Sequence, residues 1–228
     1  MNSVLSWGMV AAGLVGGAGF AAAMPSSAFS KNWAGYVDTL PAVSGYVSTA
    51  ASGQSTLLNV QLPAGSHNAY SSFWLGLDGF STSGLADTAL EQIGVGANVI
   101  NGVPDYYAWW ETIQSGATGT QTPITGFSIS PGDVIGAAVI YNPDRQKFSM
   151  ALSDATSDGS CSTAQARDGK GLAAEWIAED TQENGGYPAL ATFGTVMLSC
   201  ASGAIENSSG DSASGPIDAV SNIGGVTY

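Results

Sequence analysis

The sequence predicts an all-β fold, a single β-sandwich of antiparallel strands. Three observations carry that expectation. Apolar runs of strand length, rich in Val, Ile, Tyr, Phe and Trp, recur from Asn32 onward. Between them cluster Gly, Ser, Asn, Asp and Pro, the residues that bend a chain. No repeat of fixed period and no charged or Pro-rich linker divides the sequence. At 228 residues, 44% of them hydrophobic, the chain suits one large domain, and all-β domains often reach this size as single units.

The elements follow in order. The opening "MNSVLSWGMVAAGLVGGAGFAAAM" is apolar and ends on small residues at Ala21–Ala23. It reads as a signal peptide over residues 1–23, with the mature domain at 24–228 and a start between about Ala23 and Lys31. A transmembrane anchor is the competing reading, but the run is rich in Gly and Ala and no basic stop follows it. Secretion is therefore the expectation. The strand candidates are "NWAGYVDTL", "HNAYSSFWLGLDG", "DYYAWWETI", "GFSISPGDVIGAAVIYNP", "KFSMALSDA", "YPALATFGTVMLS" and "GPIDAV". "SPGD" is turn chemistry, and "NPDRQ" predicts a hairpin tip joining Val139–Tyr141 to Phe148–Ala151. Outside the leader, a helical pattern occurs only in "AQARDGKGLAAEW", where two glycines interrupt it. Ala201–Gly215 is rich in Ser and Gly and reads as a loop. Cys161 and Cys200 are expected to form one disulfide in an oxidising compartment.

Charge narrows the function classes. Eighteen acids face five bases, for a net charge of −13 and a pI near 4.1. Nucleic acid is excluded as a partner, because phosphate recognition needs clustered Lys and Arg. Anionic membrane surfaces are excluded on the same ground. Acidity serves solubility, and it also suits life in acid: few bases means few salt bridges to lose when carboxylates protonate.

Motifs exclude more. The one histidine, His67, stands in a loop-like stretch, and no G-x-S-x-G elbow accompanies it, so a Ser-His-Asp triad is not supported. Zinc spacings, H-E-x-x-H and G-x-G-x-x-G are absent, so neither metal nor cofactor is expected. In "ADTALE" Ala89 stands where an aspartic protease would need glycine. Carboxylates, amides and aromatics remain.

Their placement is not random. "GLAAEWIAED" (171–180) brings together Glu175, Glu179 and Asp180 in a chain with only 10% charged residues. On a strand Glu175 and Glu179 share a face. By the same parity Trp74, Gly76 and Asp78 share a face, as do Leu90, Gln92 and Gly94, and Tyr107, Trp109 and Glu111. Glycines at 76 and 94 leave room above a sheet. For any one tryptophan core packing is the simpler reading. Polar and aromatic groups alternating on several strands look more like a substrate groove.

Six pieces in order, "SKNWAGY", "FWLGLDG", "LEQIG", "YYAWWE", "AEWIAED" and "FGTV", together make the chain resemble the glutamic peptidases of the G1 family, the eqolisins. The match runs from about Asn32 to Val196. The resemblance implies a concanavalin-like sandwich of two curved antiparallel sheets with polypeptide substrates lying across one face. It implies a secreted, acid-acting, metal-independent and pepstatin-insensitive endopeptidase, monomeric and without stable membrane association once the leader is removed. Carried over by position, the catalytic pair falls on Gln92 and Glu179, and Trp33, Trp74, Asp78 and Glu111 fall where family members line the cleft; Trp109 and Glu175, placed beside them by strand parity, complete the expected substrate contacts. The chemistry agrees with the pair. A carboxylate can take a proton from water and return it to the leaving amine, and an amide that never titrates can donate to an oxyanion at any pH. Hydrogen bonds, chiefly from Gln92 through a bound water, are expected to hold Glu179 ionised in acid. The sequence departs from the family in having only two cysteines and few residues after "GPIDAV".

Two other readings stay open at this level. A glycoside hydrolase would pair Glu111 with Glu179 and stack sugars on the tryptophans. A carbohydrate-binding module would use the aromatics alone. Gln92 discriminates, because only the peptidase needs it.

Overall fold

The computed structural model describes residues 27–28, 30–39, 46–80, 89–114, 116–142, 145–166, 169–183, 185–207, 209–210, 212–213 and 217–220. The expected leader, residues 1–23, lies outside them, and of the expected start range Ala23–Lys31 they include only 27–28 and 30–31. The described residues contain no helix. Fourteen strands follow one another: β1 (Ser27–Ala28), β2 (Trp33–Thr39), β3 (Tyr46–Thr56), β4 (Ser72–Asp78), β5 (Leu90–Ile100), β6 (Val103–Ile113), β7 (Thr122–Pro123), β8 (Val134–Asn142), β9 (Lys147–Asp154), β10 (Gly159–Ala166), β11 (Ala173–Glu179), β12 (Leu198–Asn207), β13 (Ser212–Ala213) and β14 (Ile217–Val220). They form two sheets, ordered β1-β14-β2-β11-β4-β5-β6-β7 and β10-β9-β8-β3-β12-β13. Apart from the parallel pair of β1 and β14, neighbours run antiparallel. This is the predicted sandwich.

The core between the sheets follows from period-2 patterning. β9 alternates cleanly, burying Phe148, Met150 and Leu152. These meet Phe73, Leu75 and Leu77 of β4, Ile93, Val95 and Val99 of β5, and Trp176 of β11 in one cluster. The Trp176 indole spans the layers and donates to the Ser52 carbonyl oxygen at 2.8 Å. β4 is buried along its whole length and β5 along all but its last residue. Something must therefore cover their other face too. A second buried cluster does so, with Trp33, Val37, Trp74, Phe80, Leu90, Trp109, Ala173 and Ile177.

Two hairpins fix register. Tyr141 pairs with Phe148 across the expected β8–β9 tip, where Asn142 Oδ1 accepts the Arg145 amide at 2.9 Å. β5 and β6 are joined by Asn101 and Gly102, with φ of 52° and 78°. Both central residues in the left-handed region is the two-residue turn that matches strand twist. It pairs Ile100 with Val103 and, eight residues back along β5, Gln92 with Glu111.

Several expectations are corrected. Leu198–Asn207 of the expected loop Ala201–Gly215 is strand β12 as far as it overlaps, and Ser212–Ala213 is strand β13. "YPALATFGTVMLS" is mostly not a strand; it forms isolated bridges, Leu190 with Tyr70 and Thr192 with Gln61, in the segment between β3 and β4, before β12 begins. The expected disulfide does not form. Cys161 on β10 and Cys200 on β12 are both free, and β9, β8 and β3 lie between their strands. Four strand spacings are roughly 19 Å, whereas a disulfide needs Cα atoms within about 7 Å. A thiol assay on unreduced protein should count two thiols: Cys200, exposed, reacting at once, and Cys161 reacting slowly because burial pushes its thiol up. A count of zero would restore the bridge.

Candidate active site

The face of the larger sheet turned away from the sandwich core gathers the singled-out residues in cross-strand rows. Antiparallel partners share a face, so register alone assigns them. One row runs Val37, Glu175, Gly76, Gln92, Glu111; the next, Gly35, Ile177, Trp74, Gly94, Trp109; the third, Trp33, Glu179, Ser72, Gly96, Tyr107. The parity read from the sequence is the parity of the fold.

The glycines give room, but not empty room. A Cβ on Gly94 would strike the Trp74 side chain, and one on Gly96 would strike the ring of Tyr107. The Tyr107 ring thus lies across β5. The Trp33 and Trp74 rings meet edge to face with centroids 4.9 Å apart.

Glu179 stands at the end of β11 with its side chain still partly exposed. Trp74 Nε1 donates to its Oε2 at 2.7 Å, and Asn32 Nδ2 donates to its Oε1 at 3.0 Å. Asn32 is held by a hydrogen bond from the Ser30 hydroxyl at 3.2 Å. Burial of the carboxyl pushes Glu179 up to about 7; hydrogen bonds from Trp74, Trp33 and Asn32 oppose this, and the nearby charge of Glu111 adds to it. The expectation that hydrogen bonds hold Glu179 ionised in strong acid is therefore corrected. The donors exist, but desolvation outweighs them.

Gln92 faces Glu111 across the β5–β6 hairpin, and its Nε2 donates to Glu111 Oε2 at 2.5 Å. Its Oε1 is buried without a hydrogen-bond partner. One amide hydrogen is thus committed and the second is left for another acceptor. Burial raises Glu111 as well, with the Gln92 bond opposing. The segment after β6 presses on this carboxyl: a Cβ on Gly119 would strike Glu111 Oε1. Gln121 Oε1 accepts the Tyr107 hydroxyl at 2.7 Å.

Three of the expected substrate contacts sit deeper than expected. Asp78 and Trp109 are 1% and 0% exposed, and Glu175 is 0% exposed. Asp78 accepts the backbone amides of Gly171 at 2.8 Å and Leu172 at 2.6 Å, fixing the segment that leads into β11. These three support the groove from beneath; Trp33, Trp74 and Glu111 lie nearer its surface. Asn32, Ser72 and Gly96 also lie at the candidate site and were not singled out from the sequence, although Asn32 stands beside Trp33 in "SKNWAGY". Among the described residues no group of three or more His, Cys, Asp or Glu is arranged to hold a metal ion, and no helix is long and apolar enough to cross a membrane.

The acids make stability pH-dependent. Glu111, Glu175, Glu179 and Asp180 are all raised on folding, Glu179 to about 7 and Asp180 to about 6. The folded state then binds more protons than the unfolded one. Their contribution is complete below the unfolded carboxyl range near ~4 and is lost as pH rises through the folded values. Calorimetry should show a melting temperature that falls between pH 5 and 8; a flat or rising curve would contradict the buried-acid arrangement.

A buried carboxyl gripped by an indole and an amide, on the same face as a glutamine–glutamate pair, fits the chemistry of hydrolysis. Residues 31–225 match the Peptidase A4 family. The chain belongs to that family, the glutamic peptidases or eqolisins. Membership decides for a peptidase over the glycoside hydrolase and the sugar-binding module. A scytalido-glutamic peptidase solved with a transition state analog inhibitor is similar in fold, with a TM-score of 0.62 and 24% identity, covering 81% of this chain and 84% of that one. SCP-B, a member of the Eqolisin family solved with the tripeptide Ala-Ile-His, is similar at a TM-score of 0.56 and 23% identity, covering 80% and 82%. A comparison with curated proteins finds no match.

Proposed function

We propose that this chain is a secreted endopeptidase in which Glu179 activates water and Gln92 stabilises the oxyanion. Glu179, ionised, takes a proton from a water whose oxygen attacks the scissile carbonyl carbon. The carbonyl oxygen gains the negative charge, and the free N–H of the Gln92 amide donates to it. Glu179 then gives its proton to the amide nitrogen, the C–N bond breaks, and the carboxylate is ready again. The observation that carries this reading is the Glu179 carboxyl, carried by a half-buried residue and oriented by Trp74 and Asn32. Trp33 and Trp74 supply an apolar wall beside it.

The working range has two edges. Below about 7 the base form of Glu179 is depleted, so kcat/KM for the free enzyme should fall towards strong acid. Above that, ionisation of the remaining acids loosens the fold. The two overlap in weakly acidic to neutral solution. Secretion rests on the apolar leader, and a monomer working without metal or cofactor completes the reading.

The test is cleavage of an unfolded protein between pH 3 and 8, with pepstatin and a chelator present. Internal cleavage that persists under both supports the reading. No cleavage at any pH, or its loss with either additive, overturns it.

A further inference from the structure

Glu175 is the acid that the proposed mechanism does not use. It shares the catalytic face, four residues before Glu179 on β11, and occupies one cross-strand row with Gly76 and Gln92. Only a strand without a side chain at that point separates it from Gln92, so their Cα atoms are roughly 10 Å apart. Yet Glu175 is 0% exposed and neither carboxyl oxygen has a hydrogen-bond partner. Its lid is Gly79 and Leu90: a Cβ on Gly79 would sit 3.1 Å from Glu175 Oε2 and 3.0 Å from Leu90 Cδ1. Phe80, Val37 and Ala173 complete the apolar packing of this region.

The side chains facing Glu175 disfavour a charge there. β2 offers Val37, and β5 offers Leu90 and the neutral Gln92. The end of β4 offers Asp78, whose oxygens accept the Gly171 and Leu172 amides. Further along the row β6 offers Glu111, and β11 itself offers Glu179. No Lys, Arg or His is among them. A sealed, unpaired carboxylate is among the costliest things a fold can hold, so the group stays protonated until the pocket opens to water. Burial first, then the charge of Asp78, hold the Glu175 carboxyl well above the usual range; the Phe80 backbone opposes them, and the charge of Glu179 adds the least.

We propose that Glu175 is a positioning residue that must carry its proton: neutral, it lets β11 lie flat against β4 with Glu179 in register with the Gln92 hairpin, and its ionisation ends activity on the alkaline side. This rests on the peptidase reading above. Opening the pocket moves β11, and with it Glu179, away from the indole and amide that orient it. The alkaline limb of the pH profile then belongs to a residue that never touches substrate.

The test compares the protein with Glu175→Gln and Glu175→Met, which keep length without an ionisable group. kcat and kcat/KM are measured from pH 3 to 9, and amide exchange along β11 is followed over the same range. The expected result is an alkaline limb shifted upward by a pH unit or more in the variants, through kcat rather than KM, with activity in weak acid within a few-fold of the parent. β11 amides in the parent should lose protection across its alkaline limb, and those in Glu175→Gln should not. An unmoved limb in whichever variant folds overturns the proposal. So does undiminished protection of β11 in the parent, a measurement that needs no variant. If no peptide is cleaved at any pH, the peptidase reading falls and the exchange measurements alone judge Glu175.

Discussion

Glu179→Gln is expected to be inactive at every pH while remaining folded. Removing one positioned acid–base group typically costs about 10²–10⁴ in rate, and here one group serves both proton transfers, so the loss should lie at the upper end. Glutamine keeps the volume and one acceptor oxygen. The other oxygen becomes an NH2 facing either Trp74 Nε1 or Asn32 Nδ2, both donors, so one hydrogen bond is lost. Against this, an acid pushed up to about 7 by burial is removed, and with it part of the stability lost on approaching neutrality. The variant should therefore melt less steeply with pH than the parent. Circular dichroism and calorimetry from pH 4 to 8, beside assays on an unfolded protein, read both effects. Residual cleavage near the parent's rate would transfer the base role to Glu111, because Glu175 is sealed from substrate.

Gln92→Ala should lose about 10²–10³-fold in turnover, as removal of a single oxyanion donor does. A second signature separates this residue from a merely structural one. Gln92 donates to Glu111, and Glu111 acts by its charge on Glu179. Without that donor Glu111 is raised further and stays neutral to higher pH, so its push on Glu179 weakens. The acid limb of kcat/KM should move downward even as the rate falls. The β5–β6 hairpin is paired along its whole length by backbone register that does not depend on this side chain, and the fold should persist. Near-full activity would remove Gln92 from the site.

The two sheets differ in how much of them was legible. β4, β6, β8 and β9 carry long apolar or aromatic side chains with period 2, and the expected strands fall on them. β3, β10 and β12, "YVSTAASGQST", "GSCSTAQA" and "LSCASGAIEN", are built from small and hydroxyl residues. None of the three stands out as a strand in the sequence, because their strand character comes from the partners they pair with rather than from their own side chains. β12 was misjudged for that reason, and the cysteines with it, since nothing local says that three strands intervene between theirs. The site fared better because register is arithmetic: once each run is a strand, parity decides which residues share a face. What parity does not give is depth. Glu175 and Glu179 are four residues apart on one face and differ by a whole environment, because Leu90 and Gly79 close over one and strand β11 ends at the other.

The Asn101–Gly102 turn separates two kinds of sequence change. Substitutions along β5 and β6 alter what the groove offers without altering where it is offered. A change of length at this turn does something else: one residue gained or lost reverses which face every later side chain on one strand occupies. Glu111 would swing into the sandwich core and Trp110 into the groove, with no mutation at either. The segment 114–121, which packs on Glu111 and Tyr107 from beyond β6, carries no such phase relationship to the pair. Diversification of substrate choice within this scaffold is therefore open to insertions there and closed to them at the hairpin.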